Sequence, residues 1–219
     1  MIEPDPTTGE EIASTVIHGL GLVATIAAIP ALAMAAARQG DPWRTVGAAV
    51  FGTTLTLLYA TSTLYHALPA ARLPRAKRLF RVLDHAAIFL LIAGTYTPFM
   101  LGPLRGPWGW ALFGTIWGLA VFGVTLKTTV GFRFPQASTA LYLLMGWLVL
   151  VAIRPLVARL DRTALAWLVA GGACYTAGVV FFAWERLRYG HAVWHLFVTA
   201  GSACHYFAVL AGVLSARGW

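Results

Sequence analysis

The chain has 219 residues, of which 59% are hydrophobic and only 11% are charged, and its mean hydropathy is +0.73. Soluble domains carry about 25% charged residues, so this composition excludes an ordinary soluble protein and places nearly the whole chain in lipid. The formal net charge of +8 would favour nucleic acid as the partner of a soluble protein. Here, however, the basic residues fall in short segments between apolar runs, which is typical of positive-inside topology and of contact with anionic lipid headgroups. We therefore expect membrane lipids as partners, and no nucleic acid.

Residues 1–13 are predicted to form a short acidic cytoplasmic tail, and residues 14–216 a single transmembrane domain. The tail has no Lys or Arg, and its acidic residues are Glu3, Asp5, Glu10 and Glu11. Because a secretory signal begins with a basic segment, we interpret this stretch as a tail and not as a cleaved leader.

Seven apolar stretches are each long enough to span a membrane, which takes about 20 apolar residues. In chain order, the predicted spans cover residues 14–37, 43–68, 82–101, 108–126, 137–157, 163–183 and 191–214. The connections are short, so neighbouring helices are expected to run antiparallel in a compact bundle. The predicted fold class is an all-α integral membrane protein, a seven-transmembrane helix bundle.

The distribution of Lys and Arg predicts the orientation of the bundle. Nine basic residues follow spans two, four and six, and seven lie on the opposite side. The densest cluster lies between Arg72 and Arg81, and it favours a cytoplasmic N-terminus and an outside C-terminus. Tryptophans near the predicted span ends resemble an interfacial aromatic belt: Trp43, Trp108, Trp110, Trp184 and Trp219.

Two histidines open the last span, at His191 and His195. The i, i+4 spacing places them on one helical face, one turn apart, where both can bind one metal ion. Because polar residues are costly inside a membrane, such histidines suggest a functional site.

Other polar residues reach the same depth from two further helices. His66 lies near the end of span two and Asp84 near the start of span three, so both meet the histidine pair at one leaflet, whichever leaflet is cytoplasmic. Three imidazoles would leave a fourth tetrahedral position open, as in a catalytic zinc site with a bound water. Asp84 could orient that water or take its proton. Ser62, one turn before His66, could hydrogen-bond a ligand, a substrate carbonyl or Asp84.

Each of these residues also has a simpler interpretation. His191 and His195 could be interfacial histidines that bind headgroups or backbone carbonyls, and His66 could be structural. Asp84 could pair with Arg81, one helical turn earlier. The shared depth of the four residues favours a common site over these separate explanations.

Four further polar residues are less specific. Glu11 and His18 lie near the same end of span one, where they could support the metal ligands from behind or form an interfacial pair. His85 follows Asp84 but points about 100° away around the helix, so it could equally pack against a neighbour. His205 lies about 20 Å deeper than His191 at 1.5 Å per residue, which predicts a hydrogen-bonded packing residue.

Several alternative classes are disfavoured by what the sequence lacks. The only lysines are Lys77 and Lys127, neither in the last span, so no retinal Schiff base is expected there. There is no phosphate-binding GxxxxGK motif and no GxSxG nucleophile motif. Acidic residues are absent from span interiors, which argues against an ion-coupled transporter. Three imidazoles suit zinc, but also iron, copper or nickel.

Three ordered motifs resemble the signatures of the haemolysin III family, the bacterial branch of the PAQR group that includes the adiponectin and progestin receptors. They are Ser62-Thr-Leu-Tyr-His66, then Leu83-Asp84-His85 through Ala93-Gly94-Thr95-Tyr96-Thr97-Pro98, and then His191-Ala-Val-Trp-His195. Glu10-Glu11 and His18-Gly19 resemble the N-terminal signature of that family, in which Asn often stands at the place of Ser14. The resemblance covers essentially the whole chain.

The resemblance implies a seven-helix bundle in the bacterial inner membrane with zinc near its cytoplasmic end. As in the similar alkaline ceramidases, it implies that His66, His191 and His195 bind the metal and that Asp84 and Ser62 support its water. The leading hypothesis is a zinc-dependent hydrolase of a lipid amide or ester, for which the resemblance implies a ceramide-like substrate, with Asp84 as general base and a substrate that enters sideways from the leaflet. The alternatives are a lipid-sensing or membrane-homeostasis protein with a structural zinc, and the cytolytic role that the family name implies.

Overall fold

The computed structural model describes residues 6–184 and 186–214. In this part of the chain the secondary structure is helical, and seven segments are long and apolar enough to cross a membrane. The helices are α1 (Thr8–Ala37), α2 (Pro42–Ala67), α3 (Pro74–Leu101), α4 (Pro107–Val130), α5 (Pro135–Trp147), α6 (Ile153–Arg159), α7 (Arg162–Ala183) and α8 (Gly190–Leu214). A 3₁₀ turn, Leu148–Ala152, joins α5 and α6 into the fifth crossing. The predicted seven-helix membrane fold is confirmed.

Some of the predicted features lie outside the described residues. They are Glu3 and Asp5 of the acidic tail, residues 215–216 at the end of the predicted domain, and Trp219 of the aromatic belt. The division into tail and domain stays a prediction.

The helix starts follow from local sequence chemistry. Thr7 and Glu10 form a reciprocal capping box that starts α1, while Asp41 and Asp161 cap α2 and α7 with their side chains. Four helices, α2 to α5, begin with proline, which suits the first helical position because it lacks an N–H. α1 starts six residues before the predicted first span, so Glu11 lies on its first turns.

The packing order places α3 at the centre of the bundle. α2 packs against α1 and α3, α4 packs against α3, and α8 packs against α1 and α7. α3 is buried without interruption from Ala93 to Leu101. At Gly47 of α2, an added Cβ would lie 2.8 Å from the Cα atom of Pro98, so the two backbones are in close contact. This arrangement brings the start of α1, the end of α2 and the starts of α3 and α8 to one end of the bundle, called here the N-terminal end.

The fifth crossing is broken in the membrane, whereas the sequence predicts one uninterrupted span. The Tyr96 hydroxyl lies 2.8 Å from the carbonyl oxygens of Met145 and Gly146, and it accepts a 2.8 Å hydrogen bond from the Val149 N–H. A broken helix is tolerated in lipid only where such partners satisfy the freed backbone groups. Tyr96 therefore explains why the 3₁₀ turn can exist at this depth.

Candidate metal centre

Three imidazoles meet at the N-terminal end of the bundle. His66 lies in the last turn of α2, and His191 and His195 lie in the first two turns of α8. One nitrogen from each residue lies within 4.8 Å of the others. The Nε2 atoms of His66 and His195 are 3.1 Å apart, close to the distance of about 3.3 Å expected for two nitrogens on a tetrahedral zinc. Across residues 6–184 and 186–214, no other group of three or more His, Cys, Asp or Glu side chains meets this criterion.

The burial of these rings also fits metal binding. His66 and His195 are only 5% and 3% exposed, and His191 is half-buried. The Nε2 atom of His191 is buried without a hydrogen-bond partner. A buried polar atom without a partner is costly, and coordination would provide one. The donor set is suited to a divalent transition metal.

A carboxylate from α1 holds one of these histidines from behind. Oε2 of Glu11 lies 2.6 Å from Nδ1 of His66, and Oε1 accepts a 2.6 Å hydrogen bond from Nζ of Lys77. The Lys77 ammonium also lies over the Tyr65 ring, 4.8 Å from its centroid. A carboxylate on Nδ1 fixes the tautomer that leaves Nε2 as an acceptor, and it orients the ring toward His195. The sequence analysis names Glu11 as a supporting residue but not Lys77 or Tyr65.

A second hydrogen-bonded group runs from α1 through α2 to α3. Nδ1 of His18 lies 2.7 Å from Oγ of Ser62, and Ser62 also hydrogen-bonds the carboxylate of Asp84. All three side chains are buried. A hydroxyl donates only one hydrogen bond, so the consistent assignment has His18 donating to Ser62 and Ser62 donating to Asp84. The Asp84 charge also acts on His66, so the structure brings the predicted catalytic pair to the histidine cluster.

His18 was predicted to lie behind the metal ligands, but its ring is in direct contact with one of them, His195. Its ring centroid is 3.7 Å from that of His195, and it contacts the Tyr59 ring edge-on at 5.1 Å. It therefore forms one wall of the site as well as binding Ser62.

The remaining two histidines each lie against a backbone carbonyl group of their own helix, and Nδ1 of His85 also lies 3.8 Å from Oδ2 of Asp84. Nδ1 of His85 lies 2.9 Å from the Arg81 carbonyl oxygen, and the ring contacts Phe132 edge-on at 4.8 Å. Nδ1 of His205 lies 2.8 Å from the Gly201 carbonyl oxygen, and its ring stacks on Tyr175. His205 thus makes a hydrogen-bonded packing contact deeper along α8, as the sequence predicts, whereas His85 lies beside Asp84.

A cavity of about 280 Å³ opens onto the cluster between α1, α3 and the α7–α8 connection. His66 and His191 form part of its wall, and Glu10 and Arg81 contribute charged groups. The aromatic side chains that line it are Tyr65, Phe181, Phe182 and Trp184. Its size approaches that of small-molecule sites, which begin at about 300 Å³.

Comparison with known proteins identifies the family of this chain. The family model described as Haemolysin-III related matches residues 7–206. The chain is 47% identical to Hemolysin-3 of Bacillus cereus over 205 residues, which covers 94% of this chain and 92% of that protein. It is 42% identical to a Hemolysin-3 homolog of Bacillus subtilis (strain 168) over 204 residues, 93% of this chain and 94% of that protein.

Similarity extends to a human protein, the Monocyte to macrophage differentiation factor, with 29% identity over 212 residues, 93% of this chain and 84% of that one. The region matched by the family model includes every residue of the histidine cluster and of its supporting hydrogen bonds. The family predicted from the motifs is confirmed: this integral membrane protein belongs to the Haemolysin-III related family.

Proposed function

We propose that the protein is a zinc-dependent hydrolase that cleaves an amide or ester bond of a membrane lipid. The observation that carries this proposal is the meeting of three imidazoles, two of them buried and one half-buried, with a buried carboxylate at a cavity that has both aromatic and charged side chains in its wall. A structural metal site would need the ligands, but it would need neither the cavity nor the carboxylate.

Three residues would hold the ion: His66, His191 and His195. Three protein ligands leave one position for water or substrate, which is the arrangement of catalytic rather than structural zinc. Zinc bound there would supply Lewis-acid activation of water and of a carbonyl group. Glu11 and Lys77 hold His66 in the orientation that binding requires.

The protein's own proton-transfer group would be Asp84. Hydrolysis adds water to the lipid carbonyl carbon and breaks its C–N or C–O bond, and Asp84 would accept the proton of the attacking water and pass it to the leaving group. Ser62 and, through it, His18 hold the carboxylate in one position. A fixed carboxylate needs no reorganisation when the proton moves.

The cavity suits an amphiphile because aromatic side chains, charged groups and two histidines of the cluster all line its wall. An acyl chain would pack against Phe181, Phe182 and Trp184 while the bond to be cleaved lies against His191. With the orientation expected from the basic residues, the site lies at the cytoplasmic leaflet of a bacterial inner membrane.

The first experiment is elemental analysis of the detergent-purified protein beside a His191→Ala/His195→Ala variant. We expect about one zinc per chain in the wild type and none in the variant. His205→Ala is the matched control, since it removes another buried α8 histidine that lies outside the cluster, and it should keep the metal. A wild type that holds no metal even after reloading with zinc would remove the mechanism.

The second experiment separates a hydrolase from a lipid sensor with a structural zinc. Asp84→Asn should keep the metal but lose turnover of lipid amides and esters by at least about 100-fold, the usual contribution of a general base. If zinc-loaded wild type binds such lipids but cleaves none, the sensor is the better description and the hydrolase is excluded.

A second candidate function, cytolysis, is favoured by the names of the two Bacillus relatives. A lytic activity that depends on the histidine cluster should be lost in His66→Ala at equal expression. Lysis that persists in that variant and needs overexpression would indicate disturbance of the membrane by excess protein.

A further inference from the structure

We infer that the cavity binds lipids whose headgroup carries a negative charge, a carboxylate or a phosphate, and that Arg81 binds that charge. This inference rests on the proposed function for the bond that is cleaved. The binding of the headgroup does not depend on cleavage. It names a class of ligand and a specificity-determining residue outside the histidine cluster.

The position of Arg81 supports this assignment first. Arg81 lines the same cavity as His66 and His191, and its charge acts on His191. The guanidinium lies over the Phe132 ring, with its central carbon 4.2 Å from the ring centroid, which is a cation–π contact. Guanidinium carries five N–H donors in a plane and can bind a carboxylate or phosphate with two of them while it keeps other partners.

The described acidic residues next to the cavity, Glu10 and Glu11, do not offer a comparable site for a cation. The Glu10 carboxylate accepts hydrogen bonds from the backbone N–H groups of Thr7 and Tyr189, at 2.8 and 2.9 Å, and from the Thr7 hydroxyl at 2.7 Å. Glu11 is held between His66 and Lys77. Both carboxylates are therefore engaged in capping α1 and in supporting a metal ligand.

The described surface around the cavity is positively charged, like Arg81 itself. Among the described residues at the N-terminal end, no acidic side chain is exposed, whereas six arginines are: Arg72, Arg75, Arg78, Arg133, Arg186 and Arg188. Such a basic surface attracts anionic headgroups to the protein. The exposed arginines do not line the cavity, so they do not hold a headgroup next to the histidine cluster. We assign that role to Arg81, which lines the cavity.

Two lipids of nearly equal size test the inference, N-dodecanoylglycine and N-dodecanoylethanolamine. Both are acyl amides, and only the first carries a carboxylate. Binding is measured by calorimetric titration of full-length, zinc-loaded protein in a neutral maltoside detergent, in the Asp84→Asn background so that neither amide is cleaved during the titration. With Arg81 in place, this protein should bind the glycine lipid at least tenfold more tightly than the ethanolamine lipid, and Arg81→Gln in the same background should abolish that difference.

Arg78→Gln is the matched control, because Arg78 is exposed one turn earlier on α3 and does not line the cavity. It should keep the preference of the wild type. If Arg81→Gln does not fold, Arg81→Lys keeps the charge without the planar fork and should show a reduced but measurable preference. Equal binding of the two lipids, or equal loss in the Arg81 and Arg78 variants, would overturn the assignment.

A titration with inorganic phosphate alone distinguishes a lipid headgroup from a free anion. Phosphate binding that is as tight as that of the lipid and equally dependent on Arg81 would contradict the lipid assignment. The binding readout needs no turnover, so the two proposals fail separately. Loss of the carboxylate preference defeats this inference, while intact preference without cleavage defeats only the hydrolase.

Discussion

The interaction of Glu11 with His66 gives a quantitative prediction for metal affinity. The carboxylate oxygen lies 2.6 Å from the ring nitrogen, and the other oxygen binds Lys77 at the same distance. Losing the carboxylate partner of a metal-binding histidine costs about 10- to 100-fold in affinity, which is about 1.4–2.7 kcal/mol. Glu11→Gln keeps an acceptor for the ring but loses the charge, so we expect a loss of about tenfold. Glu11→Ala removes both and should lose about 100-fold.

The assay is competitive zinc titration of the purified protein against a chelator of known affinity. Glu10→Gln is the matched control, because Glu10 is the neighbouring carboxylate and binds Thr7 and the Tyr189 backbone instead of a metal ligand. It should keep the capping box of α1, which accepts Glu or Gln at this position, and leave zinc affinity unchanged. Wild-type affinity in both Glu11 variants, or an equal loss in the Glu10 variant, would refute the assigned role.

Two further predictions concern the bundle rather than the site. Tyr96→Phe removes the hydroxyl that accepts from the Val149 N–H, so it should lower the free energy of unfolding by about 1–3 kcal/mol in a denaturant titration. An unchanged value would contradict the role of the hydroxyl. Gly47→Ala forces a Cβ against Pro98 and should destabilise the protein by about 1–3 kcal/mol, whereas Gly118→Ala, which meets nothing within 4 Å, should be neutral or stabilising in the same titration.

The composition of the chain was sufficient to predict the fold, because apolar runs of span length leave few alternatives to a helix bundle. The convergence of the site also follows from the sequence. Antiparallel neighbours bring the end of one span to the start of the next, so His66 and Asp84 had to reach the same depth as His191. The structure adds how these side chains are held.

Two features could not be predicted from the apolar runs. The predicted third span begins at residue 82, whereas α3 begins at Pro74, because the first turns of this helix are basic and a search for apolar runs omits them. Lys77 therefore falls between the predicted spans, although it lies on a helix beside the cluster. The break in the fifth crossing was also missed, because an apolar run has the same composition in an α-helix and in a 3₁₀ turn.

The buried face of α1 shows which sequence signal identifies the support of such a site. Glu11, Ser14 and His18 are spaced three and four residues apart, so they lie on one helical face, and this face packs against α2 and α8. Glu11 binds a metal ligand, and His18 binds Ser62. Ser14 is 1% exposed and lines the cavity between them. A polar stripe on the inner face of an otherwise apolar helix has no packing advantage in lipid, since alanine or leucine would avoid the cost of burial. α1 is therefore a wall of the candidate site as much as a membrane anchor.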